Sequence, residues 1–345
     1  MKLTALKQTA LSVLVVPGAA TVFRPFMRGR ATVFMLHRFA RGATYRHGYP
    51  VAALRATLAW LRRNRYPLIS LRELVDGLER GHAPSRAVVF TIDDGYAEQA
   101  TVAGPVFAEF DCPVTTFLTT GFLDGQLWLW WDRIDYVFSL TTRRQVSIDI
   151  GGHRIAYSWS ADAERRTAQG ELIKLCKRMP NEVKHDTIGQ LAAALDVELP
   201  NRPPEQYAPM TWDDARAAER SGMTFGPHTV THPILSKTSD ACLEQEVGGS
   251  WRRLQEELTN PLPVFCYPNG EQPDYGPREI ALLQRFKLQA AVLSTPGYAS
   301  PEGFRRSAMS PFELPRFSCP IQLPLVIQVV SGAERFKGRW RGDGR

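Results

Sequence analysis

Short apolar runs alternate with amphipathic stretches in both halves of the chain, and this alternation predicts parallel βα units. Residues 31–37 (ATVFMLH), 86–92 (RAVVFTI) and 113–119 (PVTTFLT) are rich in β-branched and aromatic side chains, as buried strands are. Between them, residues 51–65 and 97–110 place apolar side chains at helical spacing. The pattern favours an α/β fold with a parallel sheet.

The same rhythm returns in the last third of the chain. Short strands are predicted at residues 223–226, 264–267 and 290–293, with helices at 239–259 and 276–286 between them. We therefore predict an α/β fold with a distorted (β/α)7-type barrel, in which the chemistry gathers where the strands end.

Residues 122–210 break this rhythm, and we predict that they form an inserted α+β segment that caps the site. They hold a tryptophan cluster, a hairpin around Gly151 and Gly152, and helical stretches at 163–179 and 184–195. Four prolines close to the end of the segment are typical of a linker. The predicted division is an N-terminal membrane-surface segment, a first barrel part, the insertion, a second barrel part and a basic tail: 1–30, 31–121, 122–210, 211–330 and 331–345.

The composition of the 345-residue chain is that of a globular protein, with 44% hydrophobic and 22% charged residues. Its net charge of +7 favours an anionic partner. No nucleic-acid motif accompanies this charge, so a membrane surface is the preferred partner and nucleic acid is not expected. The five cysteines are odd in number and lack paired spacing, which argues against a disulfide framework and a cysteine zinc site.

The N-terminal segment leaves three interpretations open. Lys2 and Lys7 precede an apolar run at residues 10–16, which is too short to span a bilayer. The run can rest on a membrane face, pack on the domain, or act as a signal peptide cleaved after Ala20. We prefer a cytoplasmic protein peripheral to the inner membrane over a periplasmic or secreted one.

Two adjacent carboxylates end one of the predicted strands. Residues 91–96 read Thr-Ile-Asp-Asp-Gly-Tyr, so Asp93 and Asp94 lie in the turn that follows the strand. In such a turn two carboxylates can converge, one to bind a metal ion and the other to accept a proton. An Asx turn in which Gly95 supplies a positive φ is the simpler alternative.

Two of the seven histidines are four residues apart and follow another strand end. His228 and His232 can meet one ion from a helical turn or a tight loop. Together with one carboxylate they would leave coordination positions open for water and substrate, as catalytic zinc sites do. Two unrelated loop histidines are the alternative.

A third strand runs into a turn at residues 265–270 (Phe-Cys-Tyr-Pro-Asn-Gly). The backbone N–H of Asn269 or Gly270 can face a developing oxyanion, whereas Pro268 has no N–H. We therefore count Tyr267 and Asn269 as candidate substrate or oxyanion residues.

Together these segments resemble the motifs of the polysaccharide deacetylase family, the NodB-homology domain or carbohydrate esterase family 4. Residues 91–95 are similar to its first motif and residues 228–232 to its second, while residues 265–270 resemble a variant of the third. The resemblance covers residues 31–121 and 211–320.

The resemblance implies a hydrolase that removes acetyl groups from an amino sugar with the help of Zn²⁺ or another divalent transition metal. By this comparison Asp94, His228 and His232 would bind the metal, and Asp93 would act as general base. A general acid must also protonate the leaving amine.

The sequence departs from the family pattern in its general acid. Many members take this acid from a late histidine, but no histidine follows His232. A permuted subgroup that acts on exopolysaccharide carries it in an N-terminal strand, which residues 35–38 (Met-Leu-His-Arg) resemble. The resemblance therefore assigns the acid to His37, with a packed strand-end histidine as the alternative.

A second departure concerns the partner of the base. Cys266 stands where the third motif often carries an arginine that contacts this carboxylate. Arg316 lies in a segment that resembles the one that supplies this positive charge when the third motif lacks its arginine. We expect Arg316 to orient Asp93 and to keep it ionised.

Other functions stay open at this point: an inactive glycan-binding relative, a metal-dependent amidase for a non-sugar substrate, and a structural subunit of a glycan assembly system. Trp128, Trp130 and Trp131 favour a sugar, whose apolar faces stack on aromatic rings, although a minor aromatic core explains them equally well. The preferred substrate is an N-acetylated saccharide, lipid-linked or nucleotide-linked at the membrane surface.

Overall fold

The computed structural model describes residues 19–40, 48–150 and 152–335 and shows a mixed α/β fold. Its strands are β1 Ala31–Leu36, β2 Ala87–Asp94, β3 Val114–Leu118, β4 Gln145–Ile150, β5 His153–Ser158, β6 Thr224–Pro227, β7 Val264–Cys266, β8 Ala290–Val292, β9 Tyr298–Ala299 and β10 Phe317–Ser318. Its α-helices are α1 Val51–Arg63, α2 Leu71–Glu79, α3 Gly104–Glu109, α4 Thr120–Leu123, α5 Trp130–Leu140, α6 Asp162–Cys176, α7 Asn181–Ala194, α8 Trp212–Arg220, α9 Asp240–Glu244, α10 Ser250–Glu257, α11 Pro277–Arg285, α12 Pro301–Phe304 and α13 Leu323–Ser331.

The parallel strands follow one another around the site. Strands β10, β1, β2, β3 and β6 are hydrogen-bonded in that order, and β7 pairs in parallel with β8. Leu314, just before β10, donates its N–H to Ala291 O at 2.9 Å and so joins β8 to β10. Within the described ranges, β6 and β7 form no regular ladder of backbone hydrogen bonds. The bond from Leu262 N to Phe225 O at 2.7 Å connects them instead. The α/β prediction is confirmed, and the order of neighbours is that of a distorted barrel with its gap between β6 and β7.

The register of the strands brings their carboxyl ends level with one another. Leu36 pairs with Ile92, and Leu118 pairs with both Asp94 and Pro227. The residue after β1 and the residue after β6 are both candidate histidines. Strand β2 is buried along its whole length because parallel strands are covered on both faces. The site is therefore built on rigid elements.

Residues 130–199 build a smaller hydrophobic core of their own from α5, α6, α7 and the β4–β5 hairpin. The hairpin turns at the predicted position, where Gly152 has a φ of 81°. The division of the chain into domains at residues 122 and 210 stays a prediction.

Two of the predicted helices contain π-helical turns. The helix predicted at 97–110 is a π-helical turn at Gln99–Ala103 followed by α3. The helix predicted at 239–259 is α9, a π-helical turn at Gln245–Gly249 and α10. Such turns insert a residue and re-aim the side chains around it, and they are frequent at functional sites.

The predicted N-terminal segment is described only in part. Ala19–Met27 is a 3-10 helix, in which Met27 is buried and Phe26 O accepts a hydrogen bond from Arg335 Nη1 at 3.1 Å. The apolar run at residues 10–16 and most of the basic tail lie outside the described residues. Among those described, no helix is long and apolar enough to cross a membrane.

Candidate active site

The end of β2 presents both carboxylates to one cavity. Asp93 still pairs with Phe117 of β3, so its side chain points as the alternation of the strand dictates. Asp94 then takes a φ of 87°, which aspartate tolerates better than most residues. Gly95 follows with a φ of 99°. This left-handed turn lets consecutive carboxylates face the same side, which a continuing strand would forbid.

Asp93 is held by a buried arginine. Arg316 Nη1 donates to Asp93 Oδ1 at 2.7 Å and Nη2 donates to Oδ2 at 2.8 Å, a bidentate pair. Arg316 is 1% exposed, and its Nε donates to Leu293 O at 2.7 Å. Burial alone would raise the pKa of the Asp93 carboxyl, but the guanidinium outweighs burial and holds this pKa well below its ordinary value. Asp93 is therefore ionised at physiological pH.

Asp94 lies between two imidazoles. His228 Nε2 is 3.6 Å from Asp94 Oδ1, and His232 Nε2 is 3.7 Å from the same oxygen. His228 Nδ1 lies 2.8 Å from Cys266 O, a carbonyl that can only accept, so Nδ1 carries the proton and, in the neutral imidazole, Nε2 holds the lone pair. This arrangement fixes the tautomer that a metal ligand needs.

These three residues fit a divalent cation by their chemistry. Their ligand atoms lie within 4.8 Å of one another, and all three residues are buried. Two imidazole nitrogens and one carboxylate oxygen are the donors of many catalytic zinc sites, whose ligands at about 2.1 Å from the ion lie roughly 3.4 Å apart. The ligand atoms of a second group, Asp93 with His228 and Cys266, also lie within 4.8 Å of one another. Its carboxylate and thiol, however, already accept hydrogen bonds from Arg316.

The loop that carries the two histidines is held by a glutamate that sequence reasoning missed. Glu246 Oε2 accepts from Val230 N and Thr231 N at 2.8 Å each, and Oε1 accepts from Thr231 Oγ1 at 2.6 Å. His232 itself has a φ of 60°. Glu246 lies in the second π-helical turn, on the side that also carries Leu243. An acidic residue on an otherwise apolar helix face was the signal that could have identified it.

The other π-helical turn fixes the ends of β1 and β2. Gln99 Nε2 donates to His37 O at 2.7 Å and to Asp93 O at 2.5 Å, and Gln99 Oε1 accepts from Gly95 N at 3.1 Å. His37 Nε2 lies 3.8 Å from Asp93 Oδ2, and its side chain is 47% exposed. His37 is therefore open to the cavity and to solvent, unlike the other two histidines.

The turn after β7 agrees only in part with the prediction. Gly270 N donates to Pro268 O at 2.8 Å, so this N–H is already engaged within the turn, and Asn269 stays the candidate oxyanion residue. Asn269 has a φ of 61°, and its carbonyl accepts from Ser294 Oγ. Tyr267 stacks on Tyr275 with ring centroids 4.5 Å apart.

The predicted residues line one cavity of about 880 Å³. The cavity brings together every candidate named from the sequence: His37, Asp93, Asp94, His228, His232, Tyr267, Asn269 and Arg316. Residues from 122–210 form one side of it, among them Trp131, whose ring lies edge-on to His232 with centroids 4.7 Å apart. Trp128 and Trp130 are buried, in agreement with the aromatic-core alternative.

A comparison with protein families matches residues 199–290 to the polysaccharide deacetylase model. The matched region holds both candidate metal-binding histidines and the turn after β7. No curated protein matches the chain.

Several solved structures share the fold. The Streptococcus pyogenes deacetylase PplD, in complex with acetate, is 17% identical with a TM-score of 0.56, over 88% of this chain and 98% of that one. IcaB from Ammonifex degensii is 16% identical with a TM-score of 0.54, over 88% and 97%. A de-N-acetylase from Aggregatibacter actinomycetemcomitans is 14% identical with a TM-score of 0.52, over 85% and 96%. At these identities the likeness concerns the fold.

Proposed function

We propose that this chain, which belongs to the polysaccharide deacetylase family, is a metal-dependent hydrolase that removes the acetyl group from an N-acetylated amino sugar. The observation that carries the proposal is the meeting of Asp94, His228 and His232 beside the Asp93–Arg316 pair in one cavity. A protein that only binds glycans has no need for such a set of residues.

Asp94, His228 and His232 would hold the cation, with zinc as the first choice and cobalt, nickel or manganese as further candidates. When bound, the cation would supply positive charge that stabilises the oxyanion formed as the acetamide is attacked. His228 is prepared for this role because its Nδ1 is already engaged with the Cys266 carbonyl.

Asp93 would accept a proton from the attacking water. Arg316 holds both of its oxygens, so the carboxylate stays ionised and points into the cavity. The same contact makes Asp93 a weak base, which suits a water that is itself made more acidic.

His37 would donate a proton to the leaving nitrogen, without which an amide does not expel an amine. Its Nε2 lies 3.8 Å from Asp93 Oδ2, so base and acid face the same reaction centre. Its exposure allows it to exchange protons with solvent between turnovers.

For the natural substrate we propose a lipid-linked N-acetylated saccharide processed at the cytoplasmic face of the inner membrane. The support is the basic and apolar sequence of residues 1–30. Recovery of the mature protein from the periplasm, cleaved after Ala20, would contradict this part.

The test is to measure metal content and acetate release together. We expect about one metal ion per wild-type chain and acetate release from N-acetylglucosamine oligomers. Asp94→Ala should lose the ion and at least about 10³-fold of the activity, because it removes the one anionic ligand. The exposed control Asp162→Ala should keep both.

The outcomes separate the site from the substrate. Metal binding without acetate release from neutral oligomers would support the proposed metal site and indicate that the substrate is a phosphate-linked sugar. Failure of the wild-type chain to bind any of the four metals would contradict the proposed function.

A further inference from the structure

A second cavity of about 510 Å³ lies beside the active-site cavity. We call it the Lys184 cavity and define it by Trp128, Trp130, Arg133, Asn181 and Lys184. Its lining, drawn from the described residues, contains no aspartate or glutamate. The active-site cavity, in contrast, is lined by four carboxylates.

Lys184 is a buried cation without a counter-ion. The residue is 2% exposed, its Nζ donates to Asn181 Oδ1 at 3.0 Å, and Nζ lies 4.9 Å from the ring centroid of Trp130. Across residues 19–40, 48–150 and 152–335, it forms no salt bridge. An amide oxygen and an aromatic face compensate only part of the cost of removing an ammonium from water.

Arg133 and the start of α7 add positive charge to the same cavity. Arg133 Nη1 lies 3.4 Å from His185 Nδ1, and no carboxylate of the described residues is within salt-bridge distance of this guanidinium. The helix begins at Asn181 after Pro180, without a side-chain cap. Its first N–H groups and its dipole therefore favour an anionic acceptor.

The Lys184 cavity adjoins the reaction centre. Trp130 and His232 line both cavities. His232 is a candidate metal ligand, so a group held in the Lys184 cavity would lie next to the reaction centre.

We infer that the Lys184 cavity binds an anionic group, a phosphate or a carboxylate, carried on or next to the N-acetylated sugar of the substrate. This inference rests on the proposed function and narrows its substrate to anionic saccharides. The bound anion would give Lys184 and Arg133 the counter-charge that the chain itself does not supply.

The experiment compares charged and neutral sugars by calorimetric titration. The ligands are N-acetylglucosamine 1-phosphate, a disaccharide of glucuronate and N-acetylglucosamine, and the uncharged methyl glycoside of N-acetylglucosamine. At least one charged ligand should bind the wild-type protein about tenfold or more tightly than the methyl glycoside. Whichever charged ligand gains affinity identifies the anion as phosphate or carboxylate.

Lys184→Met removes the charge and keeps an unbranched side chain of similar length, shorter by the charged atom. It should reduce the preference for the charged sugar to about twofold or less and leave binding of the methyl glycoside unchanged. Lys174→Met is the matched control, because Lys174 is exposed on α6 and lines neither cavity. Arg133→Gln should act in the same direction as Lys184→Met.

Equal affinity of the wild-type protein for charged and neutral sugars would overturn the inference. So would an equal loss of affinity for both kinds of ligand in Lys184→Met. Titration with inorganic phosphate separates the inference from the proposed function. Phosphate binding that depends on Lys184, in a protein that releases no acetate from any sugar, would keep the anion site and contradict the deacetylase.

Discussion

Two buried cations, one in the active-site cavity and one in the adjoining Lys184 cavity, are compensated in opposite ways. Arg316, at the strand ends, is 1% exposed and forms a bidentate pair with Asp93. Lys184, on α7, is 2% exposed and faces an amide oxygen and an indole ring. At the strand ends, Arg316 keeps the Asp93 carboxylate ionised. In the α5–α7 region, Lys184 has no such partner among the described residues and is available to an anionic ligand, since a desolvated charge is stabilised by an opposite charge nearby.

The largest effect is expected from breaking the compensated pair. Arg316→Met should lower the free energy of unfolding by about 3–5 kcal/mol, because it leaves the Asp93 carboxylate buried without a partner. Acetate release should fall by at least about 10²-fold. Chemical denaturation and a steady-state assay measure the two effects, and Arg220→Met, exposed at the end of α8, is the control.

The contribution of the Arg316–Asp93 pair to stability depends on pH through the pKa of Asp93. Arg316 holds the pKa of Asp93 below the value of about 3.9 expected in the unfolded chain. The pair therefore stabilises the folded protein above that pH, and the contribution is lost as the pH falls. Without the guanidinium, burial raises the pKa of Asp93, so the acidic limb of kcat/KM should move to higher pH. Arg316→Met with an unchanged limb and unchanged kcat would remove Arg316 from the site.

A smaller effect is expected at Glu246, a buried anion that is compensated by neutral groups. Burial raises the pKa of Glu246, and hydrogen bonds from Thr231 and the Val230 N–H oppose this rise only in part. Glu246→Gln replaces the ionised acceptor with a neutral amide, whose oxygen accepts more weakly from the Val230 and Thr231 N–H groups. We expect the histidine loop to loosen and the metal dissociation constant to rise about tenfold. Competition with a chelator measures it.

Glu244 provides the control for that experiment. It lies two residues away, and its carboxylate forms an exposed pair with Arg285 at 2.6 Å. Glu244→Gln should leave metal affinity unchanged, because exposed pairs contribute little. Equal effects of the two substitutions would show that Glu246 does not act through the histidine loop.

The strand-end region could be predicted from the sequence because its physical causes are local. Strands buried on both faces are continuous apolar runs, and Asp93, Asp94, His228 and His232 directly follow such runs. The parallel sheet then brings separate segments to one edge. The placement of His37 and Arg316 required the family resemblance, because nothing in their own segments distinguishes them from packed strand residues.

The α5–α7 region could not be predicted in the same way because its charges are set by tertiary packing. In the sequence, Lys184 is one of several polar residues in the first turn of a helix, and a solvent-exposed charge is the ordinary interpretation. It is buried because the helix packs against Trp130 of α5. Glu246 was missed for a related reason: its role depends on tertiary contacts, since its carboxylate accepts from the Val230 and Thr231 N–H groups of a separate loop.

The smallest effect concerns the stability cost of Lys184 itself. Burial lowers the pKa of Lys184 to about 8, whereas lysine in the unfolded chain titrates near 10.4. Below pH 8 Lys184 is protonated in both states, and its ammonium is less stable in the folded protein than in the unfolded chain. As the pH rises toward 10.4 this penalty diminishes, because the folded protein has already lost the proton.

Lys184→Met should therefore stabilise the protein, which is the opposite of the effect of Arg316→Met. We expect a gain of about 1–2 kcal/mol in the free energy of unfolding at pH 7 and a smaller gain at pH 10, by denaturant titration. Lys174→Met should show no such pH dependence, since Lys174 is exposed. A loss of stability at pH 7 would mean that the contacts of Lys184 with Asn181 and Trp130 already compensate its charge, and the contrast with Arg316 would then fail.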